Sequence, residues 1–229
     1  RPGSGGRIIE DKDMKLYLIR HGQTDWNVAG KIQGCHDIPL NETGRKQAQY
    51  LAEGMRNRPV THIYSSPQIR ALETVRAIAA SQGVEVTTLP GLREVEFGDW
   101  EGMTWKEIEE RDPERYARWV ATPAEVTPPG GESRAQIYER IGQAVNTIIK
   151  EAKGDVAVVS HGAALVYTVS YMFRNEVGPH DEIIVKNVSI TTVEYDRETG
   201  HFRMIQENDL SHLPPEVRGR GSESPTTTF

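Results

Sequence analysis

Lys15-Leu-Tyr-Leu-Ile-Arg20-His21-Gly22 and Asp155-Val-Ala-Val-Val-Ser160-His161-Gly162 decide how this chain folds. Each is a short apolar run that ends at a histidine followed by glycine. Their β-favouring residues suit a pleated, buried surface. The second run is apolar without alternation, as expected of a strand covered on both faces. In open α/β sheets, ligands bind at the carboxyl ends of the strands. If both strands are central neighbours, His21 and His161, 140 residues apart in the chain, meet at one crevice.

Outward from these strands, the pattern alternates helix and strand. Ala48, Leu51, Ala52 and Met55 recur at helical spacing, which predicts a helix over 43–57 with Asn41 or Thr43 as its cap. His62–Ser65 and Val84–Leu89 read as strands. Pro67 is expected to open a helix running to about Ser81, since a first-turn proline loses no hydrogen bond. After a loop over Leu92–Gly102 and short helical stretches to Ala121, Thr122–Gly131 is a loop, with Pro123, Pro128, Pro129, Gly130 and Gly131. Ile137, Ile141, Val145 and Ile148 mark a helix over 132–152, and another is expected over 163–174. Asn187–Tyr195 and Phe202–Glu207 alternate around Arg197-Glu-Thr-Gly200, a hairpin signal. The expected fold is a three-layer α/β/α sandwich with a mostly parallel central sheet and an antiparallel edge. Residues 1–13 are read as a flexible leader, 14–213 as one domain and 214–229 as a disordered tail.

The chain has 229 residues, 37% of them hydrophobic, enough for one sizeable core. No apolar run approaches the roughly 20 residues that span a bilayer, and no signal-peptide pattern is visible. With Cys35 alone, no intrachain disulfide can form, which fits a reducing, cytoplasmic setting. A net charge of −6 argues against non-specific nucleic-acid binding. A small phosphate can still be held wherever a few cations converge.

Phosphoryl transfer asks a protein mainly for positioning and cationic stabilisation. Arginine's planar fork suits phosphate oxygens, and neutral imidazole is a competent nucleophile. Arg20 and His21 supply both, and Gly22 is expected to let the backbone approach the ligand. Arg70 falls in the first turn of a helix, where anions are favoured, although alone it reads as a solvated arginine. Glu94, Glu96, Asp99 and Glu101 share one loop, and spacing does not choose among them as a general acid. An apolar setting would keep such a carboxyl protonated near neutrality.

Leu18-Ile-Arg20-His21-Gly22-Gln-Thr24-Asp-Trp26-Asn27 resembles the opening motif of the histidine phosphatase superfamily, the phosphoglycerate mutase-like proteins. The likeness continues in order through Ile32-Gln33-Gly34, Pro39-Leu40-Asn41 with Gly44, and Ser65-Ser66-Pro67 with Arg70-Ala71. It runs on through Leu92-Arg93-Glu94 with Gly98-Asp99-Trp100-Glu101-Gly102, Gly130-Gly131-Glu132-Ser133 and Ser160-His161-Gly162. The resemblance implies that His21 attacks phosphorus and becomes a phosphohistidine. Arg20, Arg70 and His161 then bind the phosphate oxygens, with His161 cationic or donating a hydrogen bond. Asn27, Gln33 and the Gly162 backbone add contacts, and Glu94 is the proton donor. Hydrolysis on this pattern takes no metal and no organic cofactor. The implied partner is a small phosphorylated metabolite, with no nucleic acid or membrane, and the protein is expected as a monomer or homodimer.

Cofactor-dependent phosphoglycerate mutases are similar at the core but carry a longer interval between acid and second histidine, with paired arginines. Here that interval spans 67 residues and holds Arg111, Arg115, Arg118, Arg134 and Arg140 singly. Pro128-Pro-Gly-Gly-Glu-Ser133 is similar to the phosphatase branch, so a phosphomonoester hydrolase is expected ahead of a mutase. A non-catalytic regulatory member is the third alternative, disfavoured by the full set of site residues. Residues 95–133 are expected to form a lid that sets specificity. Trp100, Trp105, Tyr116 and Trp119 there serve either a bulky leaving group or core packing. Asn208–Leu213 resembles a terminal segment of some phosphatases, which leaves His212 either near the pocket or on the surface.

Overall fold

The computed structural model describes residues 13–174 and 183–219. In chain order they form β1 (Met14–Arg20), α1 (Asp25–Val28), α2 (Glu42–Gly54), β2 (His62–Ser65), α3 (Ile69–Gln82) and β3 (Val86–Thr88). Then come α4 (Trp105–Arg111), α5 (Pro113–Ala121), α6 (Arg134–Glu151), β4 (Val156–Ser160), α7 (Gly162–Met172), β5 (Ile190–Tyr195) and β6 (Phe202–Asp209). The sheet order is β3-β2-β4-β1-β5-β6. β1 to β4 run parallel, while β5 and β6 are antiparallel at one edge.

Side-chain alternation on the central strands builds the three layers. Met14, Leu16 and Leu18 of β1 join Val156 and Val158 of β4 against Ile137, Ile141, Val145 and Ile148 of α6. Tyr17, Ile19, Ala157 and Val159 face the other way, against Leu51 of α2 and Val75 and Ile78 of α3. A central strand buried on both faces has no polar side, which explains the unbroken Val-Ala-Val-Val of β4. α7 is apolar nearly all round because it too is enclosed.

Several boundaries differ from the sequence reading. α2 starts one residue earlier than expected and ends at Gly54, with Asn41 accepting the Gly44 amide at 2.8 Å. α3 starts at Ile69, so Pro67 lies in the turn before the helix rather than in its first turn. The strand expected over 84–89 pairs regularly only at Val86–Thr88. Structure also runs past 213: Pro215–Val217 form a 3-10 turn, and the Val217 carbonyl accepts from Gln47 at 2.7 Å. The leader to residue 12 and the tail from 220 lie outside the described residues. Among the described residues no helix is long and apolar enough to cross a membrane.

Candidate active site

β1 and β4 pair in parallel with Arg20 opposite Ser160, so the next residues, His21 and His161, stand side by side. The His21 amide donates to the Ser160 carbonyl at 3.0 Å, and the two rings lie 5.2 Å apart. Both histidines continue the strand parity that faces α2 and α3. His21 Nδ1 is 2.6 Å from the Gly22 carbonyl. A carbonyl only accepts, so the proton sits on Nδ1 and Nε2 keeps a bare lone pair. Burial, then the charges of Arg70 and Arg20, push the His21 imidazole well below its ordinary range and hold it neutral.

His161 is held differently. Arg70 Nε donates to its Nδ1 at 3.2 Å, which leaves the proton on Nε2, 2.7 Å from Ser66 Oγ. Burial, then Arg70, lower this imidazole well below its ordinary range as well. These surroundings favour a neutral His161 that donates through Nε2, one of the two states the resemblance allows. Arg70 is not solvated: it is fully buried and donates to the carbonyls of His36 at 2.7 Å and Gly34 at 3.0 Å. Burial brings its guanidinium down to about 10, still high enough to remain cationic at neutral pH.

Arg20, of opposite parity, turns toward α7. Its Nη1 donates to the Val185 carbonyl at 2.7 Å, while its buried Nε has no hydrogen-bond partner among the described residues. Gly162 lies beside Arg20: a Cβ there would sit 3.4 Å from the guanidinium carbon, an ordinary contact. Sequence reasoning missed the segment that completes this arrangement. The Val188 amide donates to the Arg20 carbonyl at 2.9 Å, and Asn187 Nδ2 donates to the His21 carbonyl at 2.9 Å. Val188 adopts φ 52°, an uncommon conformation for a β-branched residue.

Asn27 and Gln33 are both buried and both turn their amide oxygens to Thr24. Thr24 Oγ1 lies 3.1 Å from Asn27 Oδ1 and 2.9 Å from Gln33 Oε1. Gly22 is required by a backbone contact: a Cβ there would come within 2.7 Å of the Gly44 carbonyl oxygen, so its absence lets two backbones touch.

Of the four loop carboxylates, Glu94 alone reaches the His161 end of α7. Its Oε1 accepts the Val95 and Ala164 amides, each at 2.9 Å, and Oε2 accepts the Ala163 amide at 3.3 Å. That is the positive end of a helix, not the apolar setting expected of a general acid. Glu96 pairs with Arg93 at 3.1 Å, and Asp99 is exposed in a 3-10 turn. Glu101 accepts from Cys35 N and Phe97 N and lies 2.9 Å from His36 Nδ1. Gln68, also missed, spans the two loops, donating to the Gly34 carbonyl and accepting the Glu94 amide.

The aromatic residues mainly pack on one another. Trp100 and Trp119 are 3% and 2% exposed with rings 5.3 Å apart, and Phe97 and Trp105 join them. His212 is half-buried: it packs on Gly54 of α2 and lies beside the Val188 backbone.

The chain is similar to known proteins in sequence and in fold. The family profile described as "Histidine phosphatase superfamily (branch 1)" matches residues 16–208. The chain is 41% identical over 162 residues to a metal-independent phosphoserine phosphatase of Arabidopsis thaliana, covering 69% of this chain and 68% of that one. It is 40% identical over 161 residues to phosphoglycerate mutase-like protein 4 of the same plant, covering 68% and 70%. A solved phosphoserine phosphatase of Entamoeba histolytica, in complex with 3-phosphoglyceric acid, superposes with a TM-score of 0.76 at 32% identity, covering 88% of this chain and all 100% of that one. By sequence and fold, the chain belongs to the histidine phosphatase superfamily, branch 1.

Proposed function

We propose that this protein hydrolyses small phosphomonoesters through a phosphohistidine on His21. The observation that carries the reading is the hydrogen bond from Nδ1 to the Gly22 carbonyl, which fixes the tautomer and leaves Nε2 as a nucleophile. The phosphoryl oxygens are met by Arg20, whose Nε lacks a partner, by Arg70, and by His161. Asn27 and Gln33 have their oxygens turned to Thr24 and offer N–H groups, and the Gly162 backbone lies beside Arg20. Arriving negative charge offsets the guanidinium charges that hold both imidazoles neutral, and so favours a proton on His161.

Glu94 protonates the leaving oxygen and then takes a proton from the water that clears His21. Its Oε1 already accepts two short amide bonds, so Oε2, with one long bond, is the oxygen that carries the proton. No step calls on a metal or an organic cofactor. Every site residue comes from one chain, so a monomer or homodimer suffices, and the single cysteine suits the cytoplasm.

The relatives' names make phosphoserine the first metabolite to test. A mutase would need a second anion grip. Arg140 is instead committed to Glu132, Arg115 to Asp112, and Arg134 lies over the Tyr138 ring. The test is turnover of p-nitrophenyl phosphate and phosphoserine in EDTA, with His21→Ala inactive. Interconversion of phosphoglycerates with 2,3-bisphosphoglycerate, without hydrolysis, would overturn the reading in favour of the mutase. Phosphate binding with no turnover would favour the regulatory member.

A further inference from the structure

Glu94 lies between the 3-10 turns Pro90–Leu92 and Gly98–Trp100, on a stretch with no regular structure to hold it. The carbonyls of that stretch converge on one side chain. Arg140, from α6, donates Nη1 to Gly91 at 2.8 Å and to Arg93 at 2.9 Å, and Nη2 to the Glu94 carbonyl at 3.2 Å. The same guanidinium grips both oxygens of Glu132, Nε to Oε1 at 2.6 Å and Nη2 to Oε2 at 2.7 Å. Glu132 then returns to the loop. Its Oε2 accepts the Glu96 amide at 3.0 Å, and its own amide donates to the Glu96 carbonyl at 2.9 Å.

An arginine has five N–H donors in a fixed fork. Here the fork makes five bonds, three to the loop and two to Glu132. Burial works to raise the Glu132 carboxyl, yet Arg140 and the Glu96 amide hold it below the usual carboxylate range. The loop and α6 approach closely, since a Cβ on Gly91 would lie 2.6 Å from the Arg140 backbone carbonyl oxygen. A buried ion pair is a poor device for stability alone, because packed apolar groups of similar volume do as well without the desolvation. It is a good device for fixing a loop at several points.

We infer that the Glu132–Arg140 pair is a positioning element that sets where the Glu94 carboxyl stands, and so governs leaving-group protonation rather than phosphate binding. The inference rests on the reading of Glu94 as proton donor. Residues 91, 93 and 94 hang from Arg140 and residue 96 from Glu132, so loosening either lets the carboxyl drift. Lysine at 140 would keep the charge but present three donors from a single atom, which cannot reproduce the planar fork.

The experiment compares kcat/KM for p-nitrophenyl phosphate and glycerol 2-phosphate in the native protein, Glu94→Gln, Glu132→Gln, Arg140→Lys and the milder Glu132→Asp. A phenolate leaves with little protonation, whereas an alkoxide needs it. We expect Glu132→Gln and Arg140→Lys to lose at least about tenfold more on the alkyl ester than on the aryl ester, as misplacement of a general acid would cause. Glu132→Asp is expected to show the same selectivity at smaller amplitude. Inhibition by inorganic phosphate is expected to stay within about threefold of the native value, since the phosphate ligands are untouched. A partly unfolded sample lowers both rates by one factor and leaves their ratio intact, so the ratio reads position and not stability. Equal losses on both esters in all three pair variants, with Glu94→Gln still selective, would overturn the inference while leaving Glu94 as the acid. Equal losses in Glu94→Gln itself would overturn the reading of Glu94, and the inference with it.

Discussion

β1 and β4 end alike, at Arg20-His21-Gly22 and Ser160-His161-Gly162, on adjacent parallel strands in register, yet the two histidines come to opposite chemistry. His21 spends Nδ1 on the carbonyl of its own neighbour, Gly22, and keeps Nε2 bare. His161 has both nitrogens engaged, one by the Arg70 guanidinium and one by the Ser66 hydroxyl. The glycines diverge in the same way. Gly22 lets the chain pass against the Gly44 backbone into a loop, whereas Gly162 opens α7 beside the Arg20 guanidinium, where a Cβ would make only an ordinary contact. Strand register delivers two imidazoles to one place; on the proposed function, the partner of Nδ1 decides which is nucleophile and which is ligand.

The largest effect that separates the two is on rate. His21→Ala is expected to lower kcat/KM for p-nitrophenyl phosphate by about 10⁴ or more, since the covalent route is gone. His161→Gln removes one stabiliser of developing charge and is expected to cost about 10² to 10³. Comparable losses at both positions in steady-state assays would erase the distinction.

Next is acid stability, which should treat the two alike. Both imidazoles are held neutral in the folded state. As pH falls below about 6.5, the unfolded chain binds protons on His21 and His161 that the folded chain refuses, so stability falls with pH. Each contributes a slope of at most about 1.4 kcal/mol per pH unit. Urea unfolding between pH 7 and pH 5 should show His21→Ala and His161→Gln each removing a similar share of that slope. A variant that leaves the slope unchanged would mean its histidine is already protonated in the native protein.

The glycines give the smallest contrast. Gly22→Ala drives a methyl against the Gly44 carbonyl oxygen at 2.7 Å and is expected to cost about 1–3 kcal/mol. Gly162→Ala meets Arg20 at 3.4 Å, an ordinary contact, and is expected to change stability by less than about 0.5 kcal/mol. Chemical denaturation of the two variants checks the order, and a reversal would contradict the packing described.

The sheet was legible because its central strands are apolar on both faces and end in the same His-Gly pair. The sites of Arg20 and Arg70 were legible as residues but not as geometry. Arg70 is oriented by the carbonyls of Gly34 and His36, and backbone oxygens leave no mark in a sequence. Asn187 went unread because Val188 turns the chain at positive φ, where a β-branched residue signals a strand rather than a turn. The sequence reads Asn187 as the first residue of a strand, which in the structure begins only at Ile190. Glu94 could not be picked from four carboxylates by spacing, because what distinguishes it is the N-terminus of α7, 68 residues further on. Arg140 was counted only as an unpaired arginine. Its partner, Glu132, sat in a Gly-Gly-Glu-Ser motif that gave no reason for the glutamate.

The central claim is that His21 alone takes the phosphoryl group, and takes it on Nε2. Rapid acid-free quenching during turnover, followed by peptide mass spectrometry and phosphorus NMR of the trapped phosphoenzyme, tests it most directly. The account predicts one phosphohistidine, at His21 and bonded through Nε2, that also forms in His161→Gln. A phosphoryl group on His161, or on Nδ1 of His21, would contradict it.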